Sequence, residues 1–224
     1  MDPSLQLIHN KLYFKHGSLL DELPEQIMAL KFIKSTDTVL ELGGNIGRNS
    51  CIISSILNDS SRLVVFETNT NDCLKLKENR DINNFVFNIE NSAISNTPLY
   101  QNEWIVKPLN DIICNGNIIE WNKINISSWD YIKNKYSSLY FNVLVADCEG
   151  GLYYILKEQP DFLISFSTII IENDFTHISQ KLFVDEQFQK NNFNLIYNKQ
   201  LDSYSNLICK DCFYQVWIKL KDEH

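Results

Sequence analysis

The sequence lacks any apolar segment long enough to cross a membrane, and it lacks an excess of positive charge. The longest apolar run, residues 162–171, contains two serines and a threonine and is half of the roughly 20 residues that a membrane-spanning helix needs. Lys and Arg number 20 against 28 Asp and Glu, which leaves a formal net charge of −8. Because polyanion binding relies on clustered Lys and Arg, membranes and nucleic acids are both disfavoured as partners.

A secretory signal and a disulfide framework are also missing. Residues 1–4 (MDPS) include no basic segment followed by an apolar stretch, which a signal peptide would show. The six cysteines are scattered along the chain, whereas disulfide scaffolds are small and cysteine-dense. Cys209 and Cys212 form a Cys-x-x-Cys pair, but zinc would need two further ligands at comparable spacing. The expectation is a cytoplasmic protein with reduced thiols.

The chain is long and apolar enough to bury one core of its own. It has 224 residues, of which 44% are hydrophobic, and a chain of this size fits one generous domain. Residues 1–37 form a lead-in, in which apolar residues at helical spacing predict a helix over 19–34. The sequence therefore predicts a single domain over residues 1–224.

Apolar runs that favour strands alternate with segments of helical periodicity. Strands are predicted at 38–42, 62–67, 85–89, 141–146 and 168–171, and helices at 46–57, 70–79, 152–158 and 178–190. Such alternation implies a parallel sheet. Two last strands, 193–197 and 213–220, have no helical pattern between them and should pair as an antiparallel hairpin. The predicted fold class is α/β, a parallel sheet closed by a C-terminal antiparallel hairpin.

Residues 96–128 break this alternation and are predicted to be an insertion over one edge of the sheet. Within it, Asn115 and Gly116 stand between two apolar runs of residues 112–119. An Asn-Gly pair in that setting is a strong hairpin signal. The insertion is therefore expected to carry a β-hairpin centred on this pair.

A glycine-containing turn follows the first predicted strand, in the segment VLELGGNIG. Gly43 and Gly47 flank Asn45 where glycine lets a ligand approach the backbone and leaves helix N–H groups free to donate. A dinucleotide fingerprint would need glycines at positions 45 and 48, where Asn45 and Arg48 stand. Glu67 ends the second strand, where a carboxylate can accept both hydroxyls of a ribose. The pattern favours a nucleoside and disfavours a dinucleotide pyrophosphate.

Further acidic residues follow the later strands. Asp147 and Glu149 come directly after residues 141–146, and Glu172 ends the next apolar run. These positions meet at the carboxyl edge where open α/β sheets bind ligands. Cys148 is expected to face away into the core, and His177 to be an ordinary helix-start histidine. The three carboxylates could hold Mg²⁺ but could equally serve without it, so no metal is predicted.

Five ordered segments, ELGGNIG, VVFE, NSAIS, DCEGG and IIIE, together resemble the FkbM family of methyltransferases over residues 20–175. The resemblance implies a seven-stranded, Rossmann-like class I methyltransferase fold and S-adenosylmethionine (SAM) as cofactor. It implies that the methionine end of SAM is held by Glu41, Gly43, Gly44, Asn45 and Gly47, with Asp147 beside it. It further places the ribose at Glu67 and the adenine at Asn91, Ser92 and Ala93. Gly44 departs from the family, which usually has alanine there.

The predicted reaction is methyl transfer from SAM to a hydroxyl of a small molecule, with a sugar as the first choice. Asp147 is predicted to orient or deprotonate that hydroxyl, while Glu149 and Glu172 shape the site. In or beside the insertion lie Trp104, Trp121 and Trp129, whose indole faces could pack on a sugar ring or could build the insertion's own core. The hypothesis of a carbohydrate acceptor depends on which of these holds.

Three other functions stay open. An RNA methyltransferase would be the nearest alternative, but the lysine-containing tetrad of ribose methyltransferases would place a lysine where this chain has Glu172. An inactive binding protein on the same fold is possible because fold does not imply function. A nicotinamide-dependent oxidoreductase shares the sheet and the acid after the second strand, but it would need the missing glycines. A cofactor-binding measurement tests the inactive protein and the oxidoreductase, and turnover of labelled SAM against saccharides and oligonucleotides tests the RNA methyltransferase.

Overall fold

A computed structural model describes residues 2–113, 120–202 and 207–220 of the chain. Its twelve strands are β1 (Val39–Leu42), β2 (Leu63–Phe66), β3 (Asn88–Glu90), β4 (Ala93–Ile94), β5 (Leu99–Asn102), β6 (Ile105–Pro108), β7 (Asn122–Lys123), β8 (Ile126–Ser127), β9 (Val143–Ala146), β10 (Thr168–Glu172), β11 (Phe193–Lys199) and β12 (Tyr214–Lys219). Its eight α-helices are α1 (Pro3–His9), α2 (Leu23–Phe32), α3 (Arg48–Ile56), α4 (Thr70–Ile82), α5 (Leu109–Ile113), α6 (Trp129–Lys135), α7 (Gly151–Glu158) and α8 (Ile178–Lys190).

Seven strands form the central sheet, in the order β11-β12-β10-β9-β1-β2-β3. The pairs from β10 through β9, β1 and β2 to β3 are all parallel. Strand β12 runs antiparallel to both β10 and β11. The prediction of a parallel sheet closed by an antiparallel C-terminal hairpin is therefore confirmed.

Helices cover both faces of the sheet, which explains why its central strands are buried along their whole length and are apolar except for Glu41 in β1. Every residue of β1, β2 and β9 is buried. Alternate side chains enter two separate clusters, as the two-residue period of a strand requires. Leu40 belongs with α6, α7 and α8 on one face, and Val39 belongs with α2, α3 and α4 on the other. This burial on both faces is what made the strands readable as short apolar runs.

Helix ends follow the local chemistry of the sequence. Asn69 caps α4 by accepting the backbone N–H of Asn71 at 2.9 Å, as an N-cap residue does. Pro24 lies in the first turn of α2, where a missing N–H costs nothing. Helix α8 occupies the predicted residues. Among the residues described, no helix is both long and apolar enough to traverse a bilayer.

The insertion differs from its prediction. Asn115 and Gly116 lie outside the described residues, while Ile112 and Ile113 belong to the short helix α5 rather than to a strand. The hairpin in this region is instead β5 and β6, which pair antiparallel. Its tight turn has Glu103 in the left-handed region, at φ 50°, which is the backbone geometry that short hairpin turns need. Strand β6 packs against α7, so the hairpin stands beside the carboxyl edge of the sheet.

Candidate functional site

A cavity of about 300 Å³ opens at the carboxyl edge of the central sheet. Its floor is formed where β1, β2, β9 and β10 end, and one wall comes from the hairpin β5–β6. Small-molecule sites in proteins enclose about 300 to 1,000 Å³, so the cavity is large enough for a ligand. It lies where open α/β sheets bind their ligands.

The turn after β1 holds its shape because Gly43 has no side chain. Gly43 adopts φ +86°, and a Cβ there would lie 1.6 Å from the carbonyl oxygen of Asp147. Its N–H donates to the carbonyl of Phe66 at 2.9 Å. Asn45 follows in the left-handed region, at φ 47°, which asparagine tolerates better than most residues. Gly43 and Asn45 both line the cavity, and their contact with the methionine end of SAM stays a prediction.

Glu67 is held at the end of β2 by two backbone amides. Its Oε2 accepts the N–H of Asn45 at 2.6 Å, and its Oε1 accepts the N–H of Asn69 at 2.7 Å. Burial raises the pKa of Glu67, and these two amides oppose that rise. Each carboxylate oxygen has a second lone pair, so the side chain keeps acceptor capacity toward the cavity that it lines. The carboxylate ties the glycine turn to β2.

The predicted adenine segment lies next to Glu67. Ser92 and Ala93 line the cavity. Asn91 does not, because its side-chain amide donates to the carbonyls of Glu67 at 2.9 Å and Thr68 at 3.1 Å. Asn91 therefore positions the loop after β2, and its contact with an adenine stays a prediction.

Three of the residues predicted to hold the methionine end lie behind the turn. Glu41 is only 2% exposed and accepts the hydroxyl of Ser50 at 2.6 Å. Gly44 packs beside Val65, and Gly47 stands at the start of α3 in the left-handed region. Glu41, Gly44 and Gly47 do not line the cavity. They support the turn that does, and their direct contact with a cofactor stays a prediction.

Replacing Glu41 with glutamine is expected to flatten the pH dependence of stability. Burial raises the pKa of Glu41 from 4.5 to about 8. Between these values the folded chain binds a proton that the unfolded chain has lost, so the free energy of unfolding falls as the pH rises through 8. From about pH 6 to about pH 8.5, the loss due to Glu41 is about 2 to 3 kcal/mol.

Urea unfolding at the two pH values measures this effect. The Glu41→Gln variant should match the wild type near pH 6 and be more stable than it near pH 8.5. Glu186→Gln is the matched control, because Glu186 is 57% exposed on α8. Parallel pH profiles for wild type and Glu41→Gln would show that Glu41 does not carry this dependence.

The three predicted catalytic acids meet in the cavity. Asp147, Glu149 and Glu172 all line it. Burial, followed by the negative charge of Asp174, raises the pKa of Asp147 well above its usual range. Burial and the charge of Asp147 raise the pKa of Glu172. Burial alone raises the pKa of Glu149, whose backbone is left-handed at φ 50°. Crowded carboxyl groups of this kind hold protons until a positive charge arrives.

Cys148 corrects part of one sequence-based expectation. It packs against the buried core on the α6, α7 and α8 face of the sheet, as expected, but it also lines the cavity together with its two acidic neighbours. Strand β9 ends at Ala146, so the alternation of side chains does not continue through residues 147–149. Burial and the charge of Asp174 raise the pKa of the Cys148 thiol well above its usual range, which disfavours a nucleophilic thiolate.

Two acids of the cavity were missed because they lie on the N-terminal lead-in. Glu25 is buried on α2 and Glu22 precedes that helix at φ 58°, and both line the cavity. Arg48 donates to Glu22 through Nη1 at 2.7 Å. Glu25 shares a helix face with the buried residues Met28 and Ala29. A glutamate at helical spacing within an apolar face is the signal that could have identified Glu25.

The three tryptophans in or beside the insertion have different positions. Trp104 is 57% exposed and lines the cavity. Trp129 is buried against Phe162 and Phe166, with ring centroids 4.8 Å and 6.3 Å away, so it is a core residue and not a ligand platform. Trp121 is half-buried and does not line the cavity. Trp104 is thus the tryptophan of the three that can face a ligand.

The remaining candidates lie away from the cavity. His177 precedes α8 as its N-cap and does not line the site. Cys209 is buried and Cys212 half-buried, both as free thiols. Within residues 2–113, 120–202 and 207–220, no group of three or more His, Cys, Asp or Glu side chains is arranged to hold a metal ion.

Solved structures with a similar fold carry methyltransferase names. An rRNA methylase from Streptococcus thermophilus matches with a TM-score of 0.51 at 7% identity, over 88% of this chain and 94% of that chain. A Streptococcus pneumoniae protein, provisionally named a tRNA (m1A22) methyltransferase, matches with a TM-score of 0.52 at 10% identity, over 92% and 72%. A Streptococcus mutans protein, provisionally named a methyltransferase and solved with S-adenosylhomocysteine (SAH), matches with 0.50 at 11%, over 92% and 99%.

These similarities show the fold of the chain, which is the Rossmann-like fold of SAM-dependent methyltransferases. No protein-family model and no curated protein sequence matches the chain. Membership of the FkbM family, expected from the five sequence segments, therefore stays a prediction.

Proposed function

We propose that this chain is a SAM-dependent methyltransferase. The observation that carries the proposal is the carboxylate of Glu67, which the amides of Asn45 and Asn69 hold at the edge of a ligand-sized cavity. A carboxylate in this place of an α/β sheet can accept both hydroxyls of a ribose. When bound, SAM supplies a methyl group activated by its sulfonium charge. Ser92 and Ala93 would flank its adenine.

The chain's own residues then have separate roles. Gly43 and Asn45 bring the backbone close to the methionine end, and Glu67 orients the nucleoside. Asp147 takes a proton from the acceptor, because it lies at the end of β9 beside the glycine turn. Glu149 and Glu172 line the cavity beside Asp147, and these three residues form its acidic wall. The remaining contribution of the protein is alignment, since fixed geometry alone lowers a transfer barrier substantially.

The residues that line the cavity bear on the class of the methyl acceptor. Two of the similar structures carry names of RNA methylases, so the comparisons do not support the expectation that nucleic acid is disfavoured. Nor do they name a saccharide acceptor, and the sugar hydroxyl stays a sequence-based prediction. In the described part of the chain, no Lys, Arg or His lines the cavity. That lining does not favour a phosphate-bearing acceptor.

Calorimetric titration tests the proposed function. SAM and SAH are each expected to bind at one site per chain, whereas NADH should bind at least about tenfold more weakly, because the turn lacks the glycines that a pyrophosphate requires. NADH binding without SAH binding would indicate an oxidoreductase. Binding of SAH without methyl transfer to any tested acceptor would favour the inactive binding protein.

A further inference from the structure

We infer that the methyl acceptor of this site is a protonated amine carried on an apolar or aromatic group, with its nitrogen held by Glu25 and Glu172 beside Asp147. The inference rests on the proposed function, since it names the second substrate of the same cavity. It replaces the neutral hydroxyl that the sequence alone suggested. Four features of the cavity support it.

The first feature is the place of the acids along the sheet. Glu67 stands at β2, and Glu172 stands at β10, three strands further along the order β2-β1-β9-β10. Neighbouring strands lie about 4.8 Å apart, so the two carboxyl groups end strands that are roughly 14 Å apart. Helix α2 packs against β10, and Glu25 lies close enough to Glu172 for its charge to help raise the pKa of Glu172. A nucleoside bound at Glu67 would not reach Glu25 and Glu172, so these two side chains remain available to a second molecule.

The second feature is unused hydrogen-bonding capacity. Glu25 is 7% exposed and lines the cavity, yet its Oε2 has no hydrogen-bond partner among the described residues. The Oε2 of Glu172 is likewise buried, with no partner in the described chain. Buried carboxyl oxygens without partners are costly. A ligand that donates several N–H bonds would satisfy both, and an ammonium group has three donors.

The third feature is the balance of charge. In the part of the chain that the structure describes, six carboxyl groups line the cavity: Glu22, Glu25, Glu67, Asp147, Glu149 and Glu172. Arg48 compensates Glu22, and two backbone amides serve Glu67. SAM itself brings two positive charges and one carboxylate, hence a single net positive charge. The other four acids therefore have only the single net positive charge of SAM to compensate them. A second cation offsets this excess, and a neutral alcohol does not.

The fourth feature is the opposite wall, which is apolar and aromatic. Leu99, Val106 and Ile155 line it, together with the indole of Trp104 and the ring of Tyr154. Such a surface accepts the hydrocarbon part of a ligand, and the face of a tryptophan attracts a nearby cation. The cavity thus joins an acidic end to an apolar end, which matches an amine on an apolar group.

The transfer balances with SAM as co-reactant. The ammonium first gives one proton to a carboxylate of the cluster, and the neutral amine then forms a nitrogen–carbon bond with its lone pair. The carbon–sulfur bond breaks as the new bond forms, and its electron pair stays on sulfur. The products are an N-methylated ammonium ion and the neutral thioether of SAH.

Matched pairs of amines and alcohols test this inference on the full chain saturated with SAH. Calorimetry would compare 2-phenylethylamine with 2-phenylethanol, and cyclohexylmethylamine with cyclohexylmethanol, followed by transfer assays with methyl-labelled SAM. The amine of at least one pair should bind about tenfold or more tightly than its alcohol, and should accept the label. Equal or tighter binding of the alcohols, or no binding in either pair, would overturn the inference.

Variants locate the charge preference. Glu25→Gln and Glu172→Gln should each lower amine affinity about tenfold while alcohol affinity and SAH affinity change little. The surface change Glu186→Gln should leave all three affinities unaltered. A preference for amines that survives both cavity variants would also contradict the inference. Amine binding to a chain that does not bind SAH would instead refute the proposed function and leave the cation site standing.

Discussion

Replacing Glu67 with alanine is expected to weaken SAH binding by about a hundredfold or more. The complex would lose the two hydrogen bonds that the ribose donates to this carboxylate, each worth roughly 1.5 to 3 kcal/mol because the acceptor is charged. The change also removes the acceptor that the N–H groups of Asn45 and Asn69 share, so the glycine turn loses its link to β2. Calorimetric titration of wild type and variant with SAH measures the loss.

Two controls separate binding from folding in this experiment. Glu67→Gln keeps one carbonyl oxygen but directs an NH₂ group at a backbone N–H, so it should fall between wild type and Glu67→Ala. Glu186→Ala on the surface of α8 should bind SAH like the wild type. If Glu67→Ala retains wild-type affinity and melts normally, the ribose does not lie at Glu67 and the proposed orientation of the cofactor is wrong.

The central sheet could be predicted because its strands and helices are specified by patterns among neighbouring residues. Strands buried on both faces are short apolar runs, such as the four residues of β9. In the helices between them, apolar residues recur about every 3.6 residues. The caps are also local, as Asn69 shows for α4. The predicted strands of the sheet are all present, with shifts of a few residues at their ends.

The hairpin of the insertion and the position of Glu25 in the cavity depend on contacts between segments that are distant in sequence. The Asn115-Gly116 pair is a strong turn signal by composition, but the hairpin in the described insertion turns at Glu103, beside Trp104. Glu25 reaches the cavity because α2 packs on β10, about 150 residues away in sequence. Open α/β sheets bind ligands at the carboxyl ends of their strands, and this rule placed Glu172 and Asp147 correctly at that edge. The rule does not cover helices that pack over the edge.

Replacing Asp147 with asparagine is expected to lower the rate of methyl transfer by about 10² to 10⁴, the usual contribution of a general base. Asparagine has nearly the same shape but cannot accept the proton of the acceptor. SAH affinity should change little, since the backbone of residue 147 still packs against Gly43. Because burial raises the pKa of Asp147, a neutral amide costs no stability, and the variant should melt at or above the wild-type temperature.

Single-turnover assays with methyl-labelled SAM and the tightest-binding acceptor measure the rate, and Asp130→Asn is the matched control because Asp130 is 85% exposed on α6. Burial and nearby negative charge favour the protonated form of Asp147 in the free protein, and the positive charges of cofactor and acceptor oppose that rise in pKa when both are bound. The complete complex therefore favours the base, which predicts that the rate loss appears in turnover and not in binding. A near-normal rate for Asp147→Asn would transfer the role of base to Glu172, whose carboxyl group lies on the neighbouring strand of the same wall.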